Sequence, residues 1–428
     1  MGISSALYSG VSGLNTNSQA MTVIGNNLAN TNTLGFKGAR TVFSDLLSST
    51  INGSGGTSQV GRGVNVSKVD NIFSQGTFES TESGLDVAVE GEGFFLVSEP
   101  DDDTVYYTRA GAFRFNENGF LVNPEGMRVQ GKRYDVNGEL VAGDPEDIVV
   151  DNAGLIAGNA TTEMALNTNL DAAADVPAAA FNFADPDTFN YSSSTQVFDS
   201  LGQPHLLTTY FVKDGGAANT WNWFWSAEDD AGVPFGETNP AAPAGQLTFD
   251  TDGTLLAGGG GALAPNIIGG AGVFDWGNGS DVNQAIDITF DTTQFDSAST
   301  VISQDQNGFG AGNLSSVDID GDGAVIASYS NGEQIRVAHL VLGRFNNPNG
   351  LELVGNNLFG TTDNSGVARV GLPGPELGKV FTNSLEQSNV DMGAEFVRMI
   401  TVQRGFQANS KIITTVDELL GELINLKR

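Results

Sequence analysis

Both ends of this 428-residue chain carry apolar residues at helical spacing, and a lone helix cannot bury such a stripe. From Asn389 to Leu426 every seventh residue is apolar: Met392, Met399, Phe406, Ile413 and Leu420. Phe396, Val402, Val416 and Leu423 lie three or four residues from members of that row, so all nine share one side of a helix. Asn389 and Asp391 precede the run as caps, and beyond Gly405 and Gly421 nothing interrupts it. At the other end Leu7, Leu14, Met21 and Leu28 are spaced by seven, with Val11 and Ile24 between them and Ser18 as the weak position. A helix from about Ser4 to Asn30 would be roughly 40 Å long at the α-helical rise per residue. Gly10, Gly13 and Gly25 each weaken it by up to about 1 kcal/mol relative to alanine, so it depends on packing. Each terminal helix needs a partner, and the opposite end of the chain supplies one.

Between the ends the periodicity changes from 3.6 to 2. Residues 41–70 are rich in Ser, Gly and Thr and read as a flexible linker around Ser54-Gly55-Gly56-Thr57, with Val42–Leu47 as a short helix or a packed strap. Leu85, Val87 and Val89 alternate with polar residues, and Phe94-Phe95-Leu96-Val97 reads as a buried strand. Tyr106 to Phe115 reads as its continuation, and Asn116-Glu117-Asn118-Gly119 as a tight turn before Phe120-Leu121-Val122. Farther on, Trp221, Trp223 and Trp225 alternate along one strand, so their indoles share a face and belong to a core. Residues 257–272 read as a Gly/Ala-rich surface loop, Asn346–Gly350 as a turn, and Leu353 to Phe359 as a following strand.

The expected architecture is mainly β with terminal α-helices. Residues 1–32 with 384–428 form a helical coiled-coil domain, and 33–70 a linker or strap. Residues 71–160 with 312–383 form a discontinuous β domain of sandwich or barrel type, interrupted by an inserted β domain at 161–311.

The formal net charge is −32, which argues against nucleic acid or an anionic membrane surface as partner. The charge is uneven: residues 1–40 contain no acid, whereas 161–311 hold many acids and Lys213 as the sole base. Without cysteine there are no disulfides or thiolate metal sites. His205 and His339 are too few and too scattered for a histidine metal cluster, and each reads as structural. The first 36 residues lack Lys and Arg, so a cleaved signal peptide is not expected, and no apolar run approaches the length of a membrane span. Asp318-Ile319-Asp320-Gly321-Asp322-Gly323 resembles the opening of a calcium loop, but Tyr329 stands where the bidentate Glu belongs, so a β-turn is expected. No nucleophile, metal or phosphate motif is present; neither an enzyme nor a cofactor is expected.

Two terminal segments carry a resemblance. Asn26-Asn27-Leu28-Ala29-Asn30-Thr31, with Thr33 and Gly35-Phe36-Lys37, resembles the signature of the rod and hook proteins, the axial family of the bacterial flagellum. Ser384–Asp391, Glu395–Ile400 and Gln403-Arg404-Gly405-Phe406-Gln407-Ala408-Asn409 resemble its C-terminal counterpart. Phe198-Asp199-Ser200-Leu201-Gly202 with Pro204-His205, Tyr329–Glu333, the Phe345–Leu351 turn and Gly355–Leu358 resemble the hook branch. The resemblance implies subunits that leave the cell through the flagellar export apparatus without a cleaved signal peptide. They would polymerise under a hook cap into a curved tube between the distal rod protein and the hook–filament junction protein. It implies no membrane or nucleic-acid partner. The terminal stripes would then be an assembly interface with other copies. A distal rod subunit and a secreted calcium-dependent β adhesin are the competing readings.

Overall fold

The computed structural model describes residues 2–46, 49–53, 56–100, 102, 104–135, 138–150, 155–236, 243–258, 266–269 and 273–426. Two long helices, α1 (Gly2–Ala29) and α2 (Met392–Leu426), stand at the ends of a chain whose other regular structure is strands and two short 3₁₀ turns. The chain divides into two compact units: residues 1–152 with 317–327 and 335–428, and residues 153–316 with 328–334. The second unit starts at 153 and takes in 328–334 as well as the stretch to 316, where 161–311 was expected, and the terminal helices share a unit with the flanking strands instead of forming a domain of their own.

In the first unit, six strands run in the order Glu352–Gly355, Leu358–Gly360, Val105–Thr108, Phe94–Ser98, Leu342–Arg344 and Arg369–Gly371, every junction antiparallel. Phe94–Ser98 is buried on both faces because its residues serve two cores in alternation. Phe95 and Val97 join Val87, Val89, Leu121, Val129, Leu340 and Val380. Phe94 and Leu96 join Tyr107, Val341, Phe345 and Phe359.

Four sequence expectations change here. The 33–70 linker is instead largely a two-stranded ribbon: Ala39–Asp45 pairs antiparallel with Val64–Asn71, and Ser49–Gly53 with Gly56–Val60, while Ser54 and Gly55 lie outside the described residues. Val42–Asp45 is accordingly strand rather than helix, with Phe43 opposite Val66, while Leu47 lies outside the described residues. Tyr106–Phe115 is not one strand, since it breaks after Thr108, where Gly111 lies so close to Val87 O that a Cβ would sit 1.8 Å from it. Leu353–Phe359 is a hairpin, with Asn356 and Asn357 both left-handed at φ 51° and 56°, the conformation a two-residue turn requires.

The inserted unit is a sandwich of two sheets. One sheet orders Asn266–Gly269, Ala285–Phe290, Glu163–Asp171 and Thr293–Phe295, with Thr300–Gln306 also on Glu163–Asp171. The other orders Tyr191–Phe198, Pro204–Lys213, Thr220–Glu228, Gly245–Phe249 and Leu255–Gly258. Trp221, Trp223 and Trp225 are buried in the shared core with Leu166, Phe211, Phe274, Trp276 and Ile288, as their alternation predicts. Most of the 257–272 segment lies outside the described residues, although Asn266–Gly269 is strand rather than loop.

The Phe198–His205 motif closes the hairpin of that second sheet around a fully buried Asp199. Asp199 Oδ1 accepts the N–H groups of Leu201 and Gln203 at 2.9 and 2.8 Å. Its Oδ2 accepts Asn278 Nδ2 and lies 3.1 Å from His205 Nε2, whose ring stacks on Trp276 at 4.0 Å. Burial by itself would raise the Asp199 carboxyl, but hydrogen bonds from Asn278, Gln203, His205 and Leu201 outweigh it and hold the pKa below 3.8. A depressed carboxylate stabilises the fold above its unfolded value, and that contribution disappears as pH falls through the folded value. Asp199→Asn is therefore expected to cost the inserted unit about 1–3 kcal/mol at neutral pH. The deficit should shrink as pH falls below 3.8 in melts followed by tryptophan fluorescence.

Candidate assembly interface

The two terminal helices pack antiparallel, but along a line of small and polar residues rather than along the heptad rows. Gly10, Gly13, Thr16, Ala20, Ile24 and Asn27 are the buried positions of α1. A Cβ added at Gly10 would lie 3.2 Å from Ile413 Cγ1, and one at Gly13 would lie 2.6 Å from Asn409 Nδ2. Reciprocally, a Cβ at Gly405 would lie 3.1 Å from Asn17 Oδ1. Each asparagine is tethered by its own helix: Asn17 Nδ2 donates to Gly13 O at 2.7 Å and Asn409 Nδ2 to Gly405 O at 3.0 Å. Gly10 and Gly13, two of the glycines that cost helix propensity, are what let the helices approach, whereas Gly25 meets nothing.

The predicted stripe residues therefore distribute unevenly. Ile24 and Val416 are buried, whereas Leu7, Leu14, Met21, Leu28, Met399, Val402 and Ile413 are half-buried. Val11, Met392, Phe396, Phe406 and Leu420 remain 39–50% exposed. Leu423 lies where no side chain is described. Tyr8, Val397, Ile400, Ile412 and Leu419 are exposed as well. At 100° per residue, the exposed apolar side chains of α2 flank the seam on two sides. Met392, Phe396, Ile400 and Phe406 fall on one side, and Val397, Ile412 and Leu419 on the other.

Where the helices meet the β body, the signature residues form a buried tie. Lys37 Nζ contacts Glu386 Oε1 at 2.7 Å and donates to Ser74 O at 2.9 Å. Arg109 reaches Glu386 Oε2 at 3.4 Å, donates to Val89 O and Gly91 O, and covers the Phe94 ring. The Gly76 N–H also donates to Glu386 Oε1, at 2.8 Å. All three charged side chains are at most 1% exposed. Burial pulls the Lys37 pKa below the lysine value; Glu386 opposes that shift and the neighbouring Arg109 charge adds to it. Burial likewise lowers Arg109 against the pull of Glu386.

The remaining signature residues fix backbone around the tie. Asn27 exchanges two hydrogen bonds with the Ala39 backbone, at 2.8 and 2.9 Å. Asn389 accepts the Gly38 N–H and donates to Ile72 O and Ser74 O, so it binds strand ends rather than capping α2. Asp391 supplies the cap, accepting the Ala394 N–H at 3.0 Å. Asn30 donates to Asn26 O and accepts Thr33 Oγ1, while Thr31 Oγ1 donates to Leu28 O, which together end α1. Gly35 is left-handed at φ 67°, its N–H donates to Glu386 O, and a Cβ there would meet Ala110 N at 2.6 Å. Phe36 is half-buried, and its carbonyl receives the Asn389 N–H at 3.4 Å. Gln403 and Arg404 are exposed on α2, away from the tie. Sequence reasoning missed Arg109 and the role of Glu386; the signal available was an acid of the C-terminal signature set against the one lysine of the N-terminal signature.

The Asp318–Gly323 segment is a hairpin turn in which Asp320 Oδ1 accepts the N–H groups of Asp322 and Ala324. Among the described residues, no three His, Asp or Glu side chains are grouped as metal ligands, and no helix is long and apolar enough to cross a membrane. A stem built from both termini, with apolar flanks turned outward and a β body inserted between its helices, defines a self-associating structural protein.

Comparison with known proteins places that class. Residues 7–37 match the family described as flagella basal body rod protein, and 88–169 the flagellar hook protein FlgE/F/G D1 domain. Residues 169–309 match the flagellar basal body protein FlaE D2 domain, and 382–426 the flagellar basal body rod FlgEFG protein C-terminal family. The flagellar hook protein FlgE of Borreliella burgdorferi is 37% identical, with 99% of each chain covered. The FlgE of Escherichia coli K12 is 34% identical, covering 99% of this chain and 100% of its own. A crystal structure of Helicobacter pylori FlgE2 shares the fold, with a TM-score of 0.51 at 15% identity over 73% of this chain and 99% of that one. The chain belongs to the flagellar hook protein family, FlgE.

Proposed function

We propose that this chain is the structural subunit of a flagellar hook, polymerising into a curved tube that joins rod to filament and transmits torque as a universal joint. The observation that carries this reading is the outward-facing apolar surface on both flanks of the terminal helix pair. Side chains such as Phe396 and Phe406 would each gain about 1.5–3 kcal/mol on full burial, and further copies of the same stem offer that burial on two sides at once. Repeated head-to-tail contact of this kind generates helical tubes. The partners are other copies, with the hook cap, distal rod protein, hook–filament junction protein and export apparatus met during assembly. Export takes place without a cleaved signal peptide, the finished tube is extracellular, and the chain has no catalytic role. Full-length similarity to hook proteins favours this over a distal rod subunit or a calcium-dependent adhesin. The test is complementation: in cells lacking their own hook protein, this chain should restore short curved tubes visible by electron microscopy of sheared appendages. Straight rods or no appendage would overturn the reading.

A further inference from the structure

In the first unit two strands of a larger, branched sheet are paired on one side alone, and both of these open edges are apolar and accessible. At one edge, Glu352–Gly355 pairs with Leu358–Gly360 alone; all four residues are exposed, Leu353 and Val354 at 53% each. At the other edge, Arg369–Gly371 pairs with Leu342–Arg344 alone, and Val367, Val370 and Leu372 are 91, 41 and 38% exposed. Open edges with exposed apolar side chains are templates for another chain, and monomeric proteins suppress them.

Three features make the edges complementary. Five antiparallel junctions separate them, so they run in opposite directions. A second copy shifted along the sheet without rotation therefore presents its Glu352 edge antiparallel to the Arg369 edge, continuing the ladder. Their charges are opposite, and among the described residues neither Glu352 nor Arg369 forms an ion pair within the chain. Each edge also supplies exposed apolar side chains, Leu353 and Val354 on one and Val370 with Leu372 just past the other, so that one of the first two can meet Val370 on one face of the new junction.

We propose that the Glu352–Gly355 edge of one copy docks on the Arg369–Leu372 edge of the next, making a sheet-to-sheet interface between subunits. This rests on the hook reading and adds to it a contact in the β body, separate from the helix stem. The contact is heterologous, since each copy uses both edges, and so it propagates rather than closing a dimer.

Cysteine chemistry gives a clean test, because the chain has no native cysteine. Leu353→Cys and Val370→Cys are made singly; both sites are exposed, and with one cysteine per chain any disulfide in a mixture of the two variants joins different copies. Copolymers of the two variants, first shown by microscopy to form tubes, are oxidised and run on non-reducing gels. The expected result is a mixed Leu353→Cys/Val370→Cys dimer, with neither variant cross-linking to itself. In the double variant the expected result is a ladder of multimers. Self-linked dimers of a single variant, or tubes without any cross-link, overturn the proposal while leaving the hook reading intact; absence of tubes from the unsubstituted chain counts against the hook reading instead. Charge exchange supplies a second readout: Glu352→Arg and Arg369→Glu should each reduce tube yield, and the double exchange should restore it. Failure of that rescue also counts against the edge contact.

Discussion

Glu386→Ala is expected to destabilise the first unit by about 3–5 kcal/mol, the usual cost of removing one partner from a buried ion pair. The carboxylate is the counter-charge for two buried cations, Lys37 and Arg109, and accepts the Gly76 N–H besides. Removing it strands both cations where neither can reach water, and frees the join between the N-terminal signature, the strands and the start of α2. Glu386→Gln should cost less, because an amide oxygen can still accept from Lys37 or Gly76, but it should remain clearly destabilising because the charge is lost. The effect can be localised. All four tryptophans lie in the inserted unit, so fluorescence reports that unit alone while circular dichroism reports both. In urea titrations the dichroism transition should shift to lower denaturant while the tryptophan transition stays in place. A Glu386→Ala chain with both transitions unmoved would rule the tie out as a source of stability.

Phe406→Asp acts at the opposite extreme: little effect on the free chain and loss of the polymer. Phe406 is 39% exposed on the flank of α2, so a carboxylate there keeps its water in the monomer, and melting of both units should change by less than about 0.5 kcal/mol. In the proposed tube the same position is covered by a neighbour. The substitution then forfeits about 1.5–3 kcal/mol of apolar burial and adds the cost of desolvating a charge, several kcal/mol when unpaired. The penalty recurs at every subunit, so assembly should fail outright in sedimentation and by electron microscopy. Tubes of normal length would refute the assignment of this flank to the interface.

The helices were legible from sequence because helical period is a local signal; two rows of residues seven apart suffice to locate α1 and α2. Which side of each helix faces inward was not legible. The seam is built by Gly10, Gly13, Ala20 and Gly405, residues with little or no side chain, so a hydrophobic reading passes over the positions that pack closest. The tryptophan stripe was readable for the opposite reason, as three large indoles at period two have one place to go. The 39–71 ribbon was hidden by its Ser/Gly content, which masks the alternation that pairs it. The tie joins residues 277 and 349 positions apart in sequence. Its three charges could be brought together only by register between strands, which no local pattern carries. The signature asparagines were visible as a motif, but their work, binding the strand ends around Ala39 and Ile72, is tertiary.

Assembly through the outward flanks of the stem makes one claim that can be measured directly: the same apolar side chains are wet in the free subunit and dry in the tube. Hydroxyl-radical footprinting of free chain and sheared tubes reads this residue by residue. Strong protection of Phe396, Ile400, Phe406 and Leu419 on polymerisation, with the core indoles Trp221 and Trp223 unreactive in both states, is the predicted result. Equal labelling of those four side chains in free chain and tube would contradict it.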